Sequence, residues 1–402
     1  MKVTIYEGIN KIISQKVLNK THILPLENAI GMICAQTIKA ILSLPRFNNS
    51  AMDGFGLKGD HDSYKIVGKI LAGDDKNIIL KDKECIKITT GAKTPASVDT
   101  VIPQENTKIT NDFIEIIKPV KTGANIRKEG EDIKQGEIII KQGDKITSNY
   151  ISLLASQGIT HIEVYNTPKV AVFASGSELK MPYERLENSQ IYNSNTPYIV
   201  SRLKELGCEV SFVGKSKDNI DDMKKLVENS LDHDLIITSG GVSVGEADFT
   251  KESFNAFGFE TIFDKVDIKP GKPTTFGKIG KTFVLNLPGN PLAAALNFEI
   301  FGKIIINILN HTNNIYHDYI TTVISEDFTK NKSVATVIPG FFNGENFKIA
   351  KQFGPNMVNV LNNCNGFIVI DKDTNKLSKG ESIKFLPINW EFYSENFKEF
   401  LI

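Results

Sequence analysis

The chain has only four arginines, Arg46, Arg127, Arg185 and Arg202, within a combined Lys+Arg count of 47. Any anion site must therefore rest on lysine point charges, backbone N–H groups and helix N-termini rather than on arginine forks. Cysteine is equally sparse. Cys34, Cys85, Cys208 and Cys364 lie far apart with no C-x-x-C pair, which argues against a zinc ribbon or a disulfide framework and predicts buried free thiols. The six histidines are scattered, so a histidine-based metal centre is disfavoured. Net charge is absent too: 47 basic residues balance 47 acidic ones, so no global field marks a nucleic-acid partner. No continuous apolar run approaches the roughly 18 residues that span a bilayer; Ile304-Ile305-Ile306 is typical of the longest. The start, Met1 to Glu7, lacks the apolar segment of a signal peptide. These absences predict a cytoplasmic protein with neither nucleic-acid nor membrane partners.

What is present is ordinary globular material. The 402 residues, 41% hydrophobic and 23% charged, suggest two to four domains at about 150 residues each. Four textures follow one another. Residues 1–43 read as helical, with Ile9, Ile12 and Ile13, then Ala29, Ile30 and Met32, at helical spacing. Residues 44–125 break into short strands with many turns, predicting a β-rich insert. Residues 126–167 return to mixed structure, with a helix starting at Thr147 or Ser148 and stopping at Gly158. Residues 168–312 alternate strands (Val170–Ala174, Glu209–Val213, Leu235–Thr238, Phe283–Leu287) with helices near 195–206, 219–231, 248–256 and 291–309. That alternation predicts a doubly wound, mainly parallel sheet, with ligands at the C-terminal strand ends. Residues 313–402 revert to short strands and predict a small β-barrel. The fold class is thus α/β multidomain, with 1–43 and 126–167 forming one discontinuous, elongated helical and mixed domain.

Three strand ends carry unusual corners. Ser239-Gly240-Gly241, followed by Ser243 and a helix start near Asp248, is either a tight turn or an anion cradle. Leu287-Pro-Gly-Asn-Pro291 starts a helix at once, with Asn290 suited to the N-cap and Pro291 to the first turn. Ser175-Gly-Ser-Glu178 ends a third strand. All three would converge on one crevice. In Lys265-Val-Asp-Ile-Lys-Pro-Gly-Lys272, strand alternation puts Lys265, Asp267 and Lys269 on one face, and Pro270-Gly271 then presents Lys272. This is either a solvated edge strand or a cationic rim for an oxyanion. In the insert, Asp53 is a turn residue of Asp53-Gly54 or a metal or substrate contact, and Gly130-Glu131-Asp132 invites the same two readings. Carboxylates near phosphate-binding turns suit Mg²⁺.

As a set, the motifs resemble the molybdopterin molybdenumtransferase (MoeA) family, which includes the E domain of gephyrin. The resemblance rests on Asn49-Ser-Ala-Met-Asp-Gly54, Thr90-Gly-Ala92, Asp99-Thr-Val-Ile-Pro-Gln-Glu105, and Arg127 with Gly130-Glu-Asp132. It continues through Ser239–Asp248, Lys269-Pro-Gly-Lys-Pro273 and Leu287–Pro291. The sequence departs from the family pattern at Asn48, at Phe55-Gly56 and at Ser177, where aspartate, Tyr-Ala and aspartate are usual.

The resemblance implies a Mg²⁺-dependent transferase that inserts molybdate into adenylylated molybdopterin and releases AMP and molybdenum cofactor. It implies a homodimer whose active site joins the α/β domain of one copy to the insert of the other. A molybdopterin adenylyltransferase upstream and molybdoenzyme acceptors downstream would be partners. The implied catalytic residues are Asp53, Glu178, Asp248, Lys265 and Lys269, with Asp53, Glu178 and Asp248 as metal ligands. The implied substrate contacts are Thr90, Asp132, Asp218, Ser239, Gly240, Gly241, Ser243, Lys272, Pro288, Gly289 and Pro291. Two other readings compete: a molybdopterin adenylyltransferase, whose single domain resembles 168–310, and a scaffold of the gephyrin type. The domains flanking 168–310 disfavour the first, and the lack of a fused partner domain or long linker disfavours the second.

Overall fold

A computed structural model describes residues 2–216, 219–241, 247–330 and 333–389. At its centre, four parallel strands lie in the order Glu209–Ser216, Lys169–Ser175, Leu235–Ser239 and Thr282–Leu287. Two antiparallel strands that the alternation did not reveal, Thr275–Ile279 and Phe259–Phe263, extend one edge. The central strands are buried on both faces, so successive residues feed different cores. Val170, Val172, Leu235, Ile237, Phe283 and Leu285 enter one. Ala171, Phe173, Ile236 and Val284 enter the other. Helix Asn195–Glu205 covers the first face through Ile199 and Leu203, and Ile220–Glu228 covers the second through Met223 and Val227. The doubly wound expectation holds.

The helix after Asn290 runs from Pro291 through a π turn at Phe298–Gly302 to Leu309. It is 19 residues long and its most apolar window has a mean hydropathy of 1.7, long and apolar enough for a membrane span, which the count of short runs had excluded. It is instead a core helix, with 89% of its most apolar window buried. Asn290 takes the extended N-cap conformation and Pro291 the first turn, but the Asn290 side chain makes no capping hydrogen bond.

Residues 1–43 are not mainly helical. Only Ile5–Ile13 is an α-helix, started by a reciprocal Thr4–Glu7 capping box. Ile9 and Ile12 pack into the first core of the α/β unit. Thr21–Pro25 then pairs antiparallel with His161–Tyr165, and Ile38–Lys39 with Ile138–Ile140. Pro25 and the positive φ of Gly31 (81°) interrupt the helical spacing of the intervening apolar residues. Helix Ser148–Ser156 packs Leu154 onto these pairs, and Gly158 terminates it at φ 76°.

The insert is a six-stranded sheet in the order Thr100–Pro103, Gly54–Leu57, Glu84–Ile88, Ser63–Ile70, Phe113–Ile116 and Thr107–Thr110. Gly54 begins a strand rather than a turn. A β-carbon there would overlap the carbonyl of Ile102, so its smallness permits the strand approach. The last region forms a closed five-strand barrel: Ala335–Phe342, Asn346–Ile349, Ile320–Ile324, Ser382–Pro387 and Gly366–Ile370, the last pairing back to the first. Phe347 and Phe385 fill it. Ile268–Lys269 adds alongside Ala335–Thr336, and Lys265–Val266 pairs with Lys2–Val3. The lysine segment is thereby tied to both ends of the chain.

Candidate functional site: a glycine-cornered cleft

The three strand ends meet. A cleft of about 570 Å³ is lined by Ser175, Gly176 and Glu178 from one corner, Ser239, Gly240 and Gly241 from the second, and Pro288, Gly289, Asn290 and Pro291 from the third. Gly240 and Gly241 have φ of 90° and 67°. A β-carbon on Gly240 would overlap the Ser175 carbonyl, and one on Gly241 would stand 2.5 Å from the Thr250 hydroxyl. Glycine is therefore demanded twice over, by conformation and by the approach of the neighbouring strand end. Thr250 donates to the Gly241 carbonyl at 2.7 Å, fastening helix Ala247–Asn255 to the corner.

Hydrogen bonds stitch the corners together. Thr238 donates to the Asn286 side chain at 2.7 Å, and the Ser239 hydroxyl to the Pro288 carbonyl at 3.3 Å. The amide of Asn195 donates to the Ser239 hydroxyl (2.8 Å) and the Gly289 carbonyl (2.6 Å). Its own oxygen is buried without a partner. Such orphaned acceptors are uncommon in folded proteins. Asn195 escaped the sequence reading because, as the first residue of a helix, it looks like ordinary cap chemistry. Two expected substrate contacts are already engaged: Ser239 is part of this tie, and the Gly240 N–H donates to the Leu287 carbonyl at 3.3 Å.

The lysine turn abuts the cleft through Pro273, which lines it. Lys265, Lys269 and Lys272 are all exposed, while Val266 and Ile268 are buried, as strand alternation predicts. Asp267, the acidic residue between them, pairs with Lys2 at 2.8 Å. The rim beside Glu178 is braced by Lys215, which bonds Glu184 at 2.7 Å and the Leu179 carbonyl at 2.8 Å. The Lys215 hydrogen bond holds the Glu184 carboxyl below its usual range.

A second cluster lies on the insert. Thr90 donates both its backbone N–H (2.7 Å) and its hydroxyl (3.2 Å) to Asp53. Asn49 pairs with Arg127, and Ser50 exchanges backbone hydrogen bonds with Gly91 and Ala92. Asn48 accepts the Glu129 N–H at 2.9 Å, fastening the turn that carries the exposed Asp132. Asn49 Oδ1 and Thr94 Oγ1 are buried without partners. Asp53, Thr90 and Asp132 are absent from the cleft lining, so within one chain the two clusters stand apart.

Asp218 and Ser243 lie outside the described residues, as does the side chain of Asp248. Among the described residues no three carboxylate, histidine or cysteine side chains gather to hold a metal. Glu178 and Asp53 belong to separate clusters. Of the expected Mg²⁺ ligands, Glu178 lines the cleft and Asp53 sits on the insert, while the Asp248 side chain lies outside the described residues.

Two family models match the chain. One, described as the MoeA N-terminal region (domain I and II), covers residues 3–158; the other, a probable molybdopterin binding domain, covers 171–308. The molybdopterin molybdenumtransferase of Staphylococcus aureus (strain COL) is 31% identical over 389 residues, spanning 91% of this chain and 93% of that protein. A Staphylococcus epidermidis protein of the same name is 32% identical over the same shares. The crystal structure of a molybdopterin biosynthesis MoeA protein from Pyrococcus horikosii superposes with a TM-score of 0.83 at 26% identity, covering 97% of this chain and all of that one. The glycine-cornered cleft, the insert motifs and the length of these matches agree: the chain belongs to the molybdopterin molybdenumtransferase family.

Proposed function

We propose that this chain transfers molybdenum from molybdate to adenylylated molybdopterin, releasing AMP and molybdenum cofactor. The observation that carries the reading is the meeting of three strand-end corners in one cleft, whose lining includes Pro273, the residue that follows Lys272. Both substrates are anions, and bringing two charges to about 4 Å costs roughly 4 kcal/mol at an effective dielectric of 20. Lys265, Lys269 and Lys272 supply the compensating charge from exposed positions on a fixed strand-and-turn frame. The corners supply shape: rigid backbone with no side chain at 240, 241 or 289, so a flat ligand can approach closely. Cleaving the adenylate needs an oriented attacking oxygen, and Glu178 is the carboxylate lining the cleft.

The working unit is a homodimer in which the Asp53–Thr90 cluster of one copy closes the cleft of the other. Two features support this. Asn49 and Thr94 carry buried polar atoms left unpaired in the single chain. The lobe built from 21–39 and 126–167 exposes Ile23 (69%), Ile30 (55%) and Ile138 (52%). In that dimer, Glu178 of one copy and Asp53 of the other would be the carboxylates available to hold Mg²⁺. The reaction takes its substrate from an adenylyltransferase, delivers its product to molybdoenzymes and takes place in the cytoplasm. The test is to incubate purified protein with adenylylated molybdopterin, Mg²⁺ and molybdate, then quantify AMP and pterin-bound metal. Molybdate-dependent release of AMP is expected. Adenylylation of molybdopterin from ATP instead would move the chain to the adenylyltransferase class.

A further inference from the structure

Asn297 is fully buried and sits on the helix that starts at the Pro288–Pro291 corner. Its amide nitrogen donates to the Pro270 carbonyl at 3.0 Å and to the Ala293 carbonyl at 2.8 Å. Its oxygen lies 3.0 Å from the Thr274 hydroxyl, whose single proton is shared between it and the Gly271 carbonyl at 2.8 Å. Gly271, at φ 105°, lies so close that a β-carbon would overlap the amide. One side chain thus grips both ends of the turn between Lys269 and Lys272, and anchors it to the helix that carries a cleft corner. The π turn begins at the next residue, Phe298, a backbone irregularity often found near functional sites.

A core position on an apolar helix would ordinarily hold a hydrophobic residue. Burying an amide there is tolerable only because all its hydrogen bonds are made. All but the one to Ala293 serve the lysine turn. We infer that Asn297 is a positioning residue: it sets the reach of the Lys269 and Lys272 ammonium groups relative to the corners, so the oxyanion meets pre-arranged charge rather than mobile side-chain bases. This rests on the molybdate-transfer reading above. Pre-arranged charge needs no reorganisation when the anion arrives. Loosening the turn should therefore weaken molybdate capture while leaving the pterin substrate, held by the corners, nearly unaffected.

The experiment compares Asn297→Leu, Thr274→Val and a packing control, Ile304→Val, which trims the same helix far from the turn. Each is assayed for molybdate KM, kcat at saturating molybdate, affinity for adenylylated molybdopterin and melting temperature. Asn297→Leu should raise molybdate KM about tenfold or more, with Thr274→Val shifting it in the same direction by less. Pterin affinity should change by under about threefold, and Ile304→Val should move only the melting temperature. If Asn297→Leu does not fold, Thr274→Val decides. Unchanged molybdate KM in the folded variants, or an equal rise in Ile304→Val, overturns the positioning role. Failure of the unaltered protein to release AMP with molybdate would overturn the functional reading instead.

Discussion

The amide nitrogen of Asn195 lies 2.6 Å from the carbonyl oxygen of Gly289, joining the start of one helix to the corner that precedes another. The same nitrogen reaches Ser239, so one side chain sets the spacing between two of the three corners. Asn195→Ala removes both bonds and unties the cleft floor. The unfolding free energy should fall by about 1–2 kcal/mol, and kcat/KM for adenylylated molybdopterin by about tenfold or more, because a cleft displaced by even an ångström loses productive alignment. Denaturant melts and initial-rate kinetics check this; wild-type kinetics in the variant would show that the tie is irrelevant to binding.

Asp53 and Glu178 belong to clusters that do not meet in one chain. If the working site joins two copies, Asp53→Ala and Glu178→Ala should each be inactive, yet mixed and re-equilibrated samples should regain activity through hybrid dimers with one intact site. Activity titrated against mixing ratio, alongside light scattering for mass, measures this. Mixtures as dead as their parents would place the whole site in one copy.

Beneath the cleft, Glu299 is 1% exposed and bonds Arg202 at 2.8 Å, Tyr198 at 3.0 Å and Lys303 at 3.6 Å. Burial disfavours the Arg202 charge, but the Glu299 hydrogen bonds outweigh it and the pKa is raised. Arg202 also bonds Glu205, Asn389 and the Ile388 carbonyl, so its donors are committed to structure rather than to substrate. Glu299→Ala strips Arg202 of its buried partner and leaves only the exposed Glu205, so it should cost about 3 kcal/mol. Glu299→Gln, which keeps the shape and an acceptor, should cost less. Chemical denaturation separates the two, and equal losses would mean that packing, not charge, makes Glu299 necessary.

His317 bonds the Ile300 carbonyl at 2.8 Å, and burial lowers its pKa from 6.5. The unfolded chain then binds a proton that the folded chain refuses, so stability is lost as pH falls through about 6.5. His311, lowered by burial as well, acts in the same direction. The melting temperature should decline between about pH 7 and pH 5, and His317→Gln, which retains a donor but cannot titrate, should flatten that decline. Parallel curves for variant and parent would remove His317 from the pH response.

Much of this organisation was legible from sequence because it is periodic. Buried runs such as Leu235–Ser239, alternation such as Lys265–Lys269, and Gly or Pro at strand ends each have a physical meaning that survives folding. What escaped notice depends on contacts between distant residues. Gly54–Leu57 carries two glycines and looks like a turn, yet it is a central strand because its partners crowd it. Residues 21–39 have helical spacing at Ala29, Ile30 and Met32, but pairing with 138–140 and 161–165 prevails. The Asn195 and Asn297 ties join residues 94 and 27 positions apart to their carbonyl partners, and no local pattern announces them.

The claim on which the account stands is that amines of the 265–272 segment neutralise molybdate beside the corners. Lys269→Gln, followed in a single turnover with adenylylated molybdopterin bound, tests it by measuring AMP released and metal on the pterin as molybdate and salt are varied. The account predicts a molybdate requirement shifted upward about tenfold or more, with the gap to the unaltered protein narrowing at high ionic strength as screening weakens the lost charge. Identical molybdate dependence in the two proteins at low salt would contradict it.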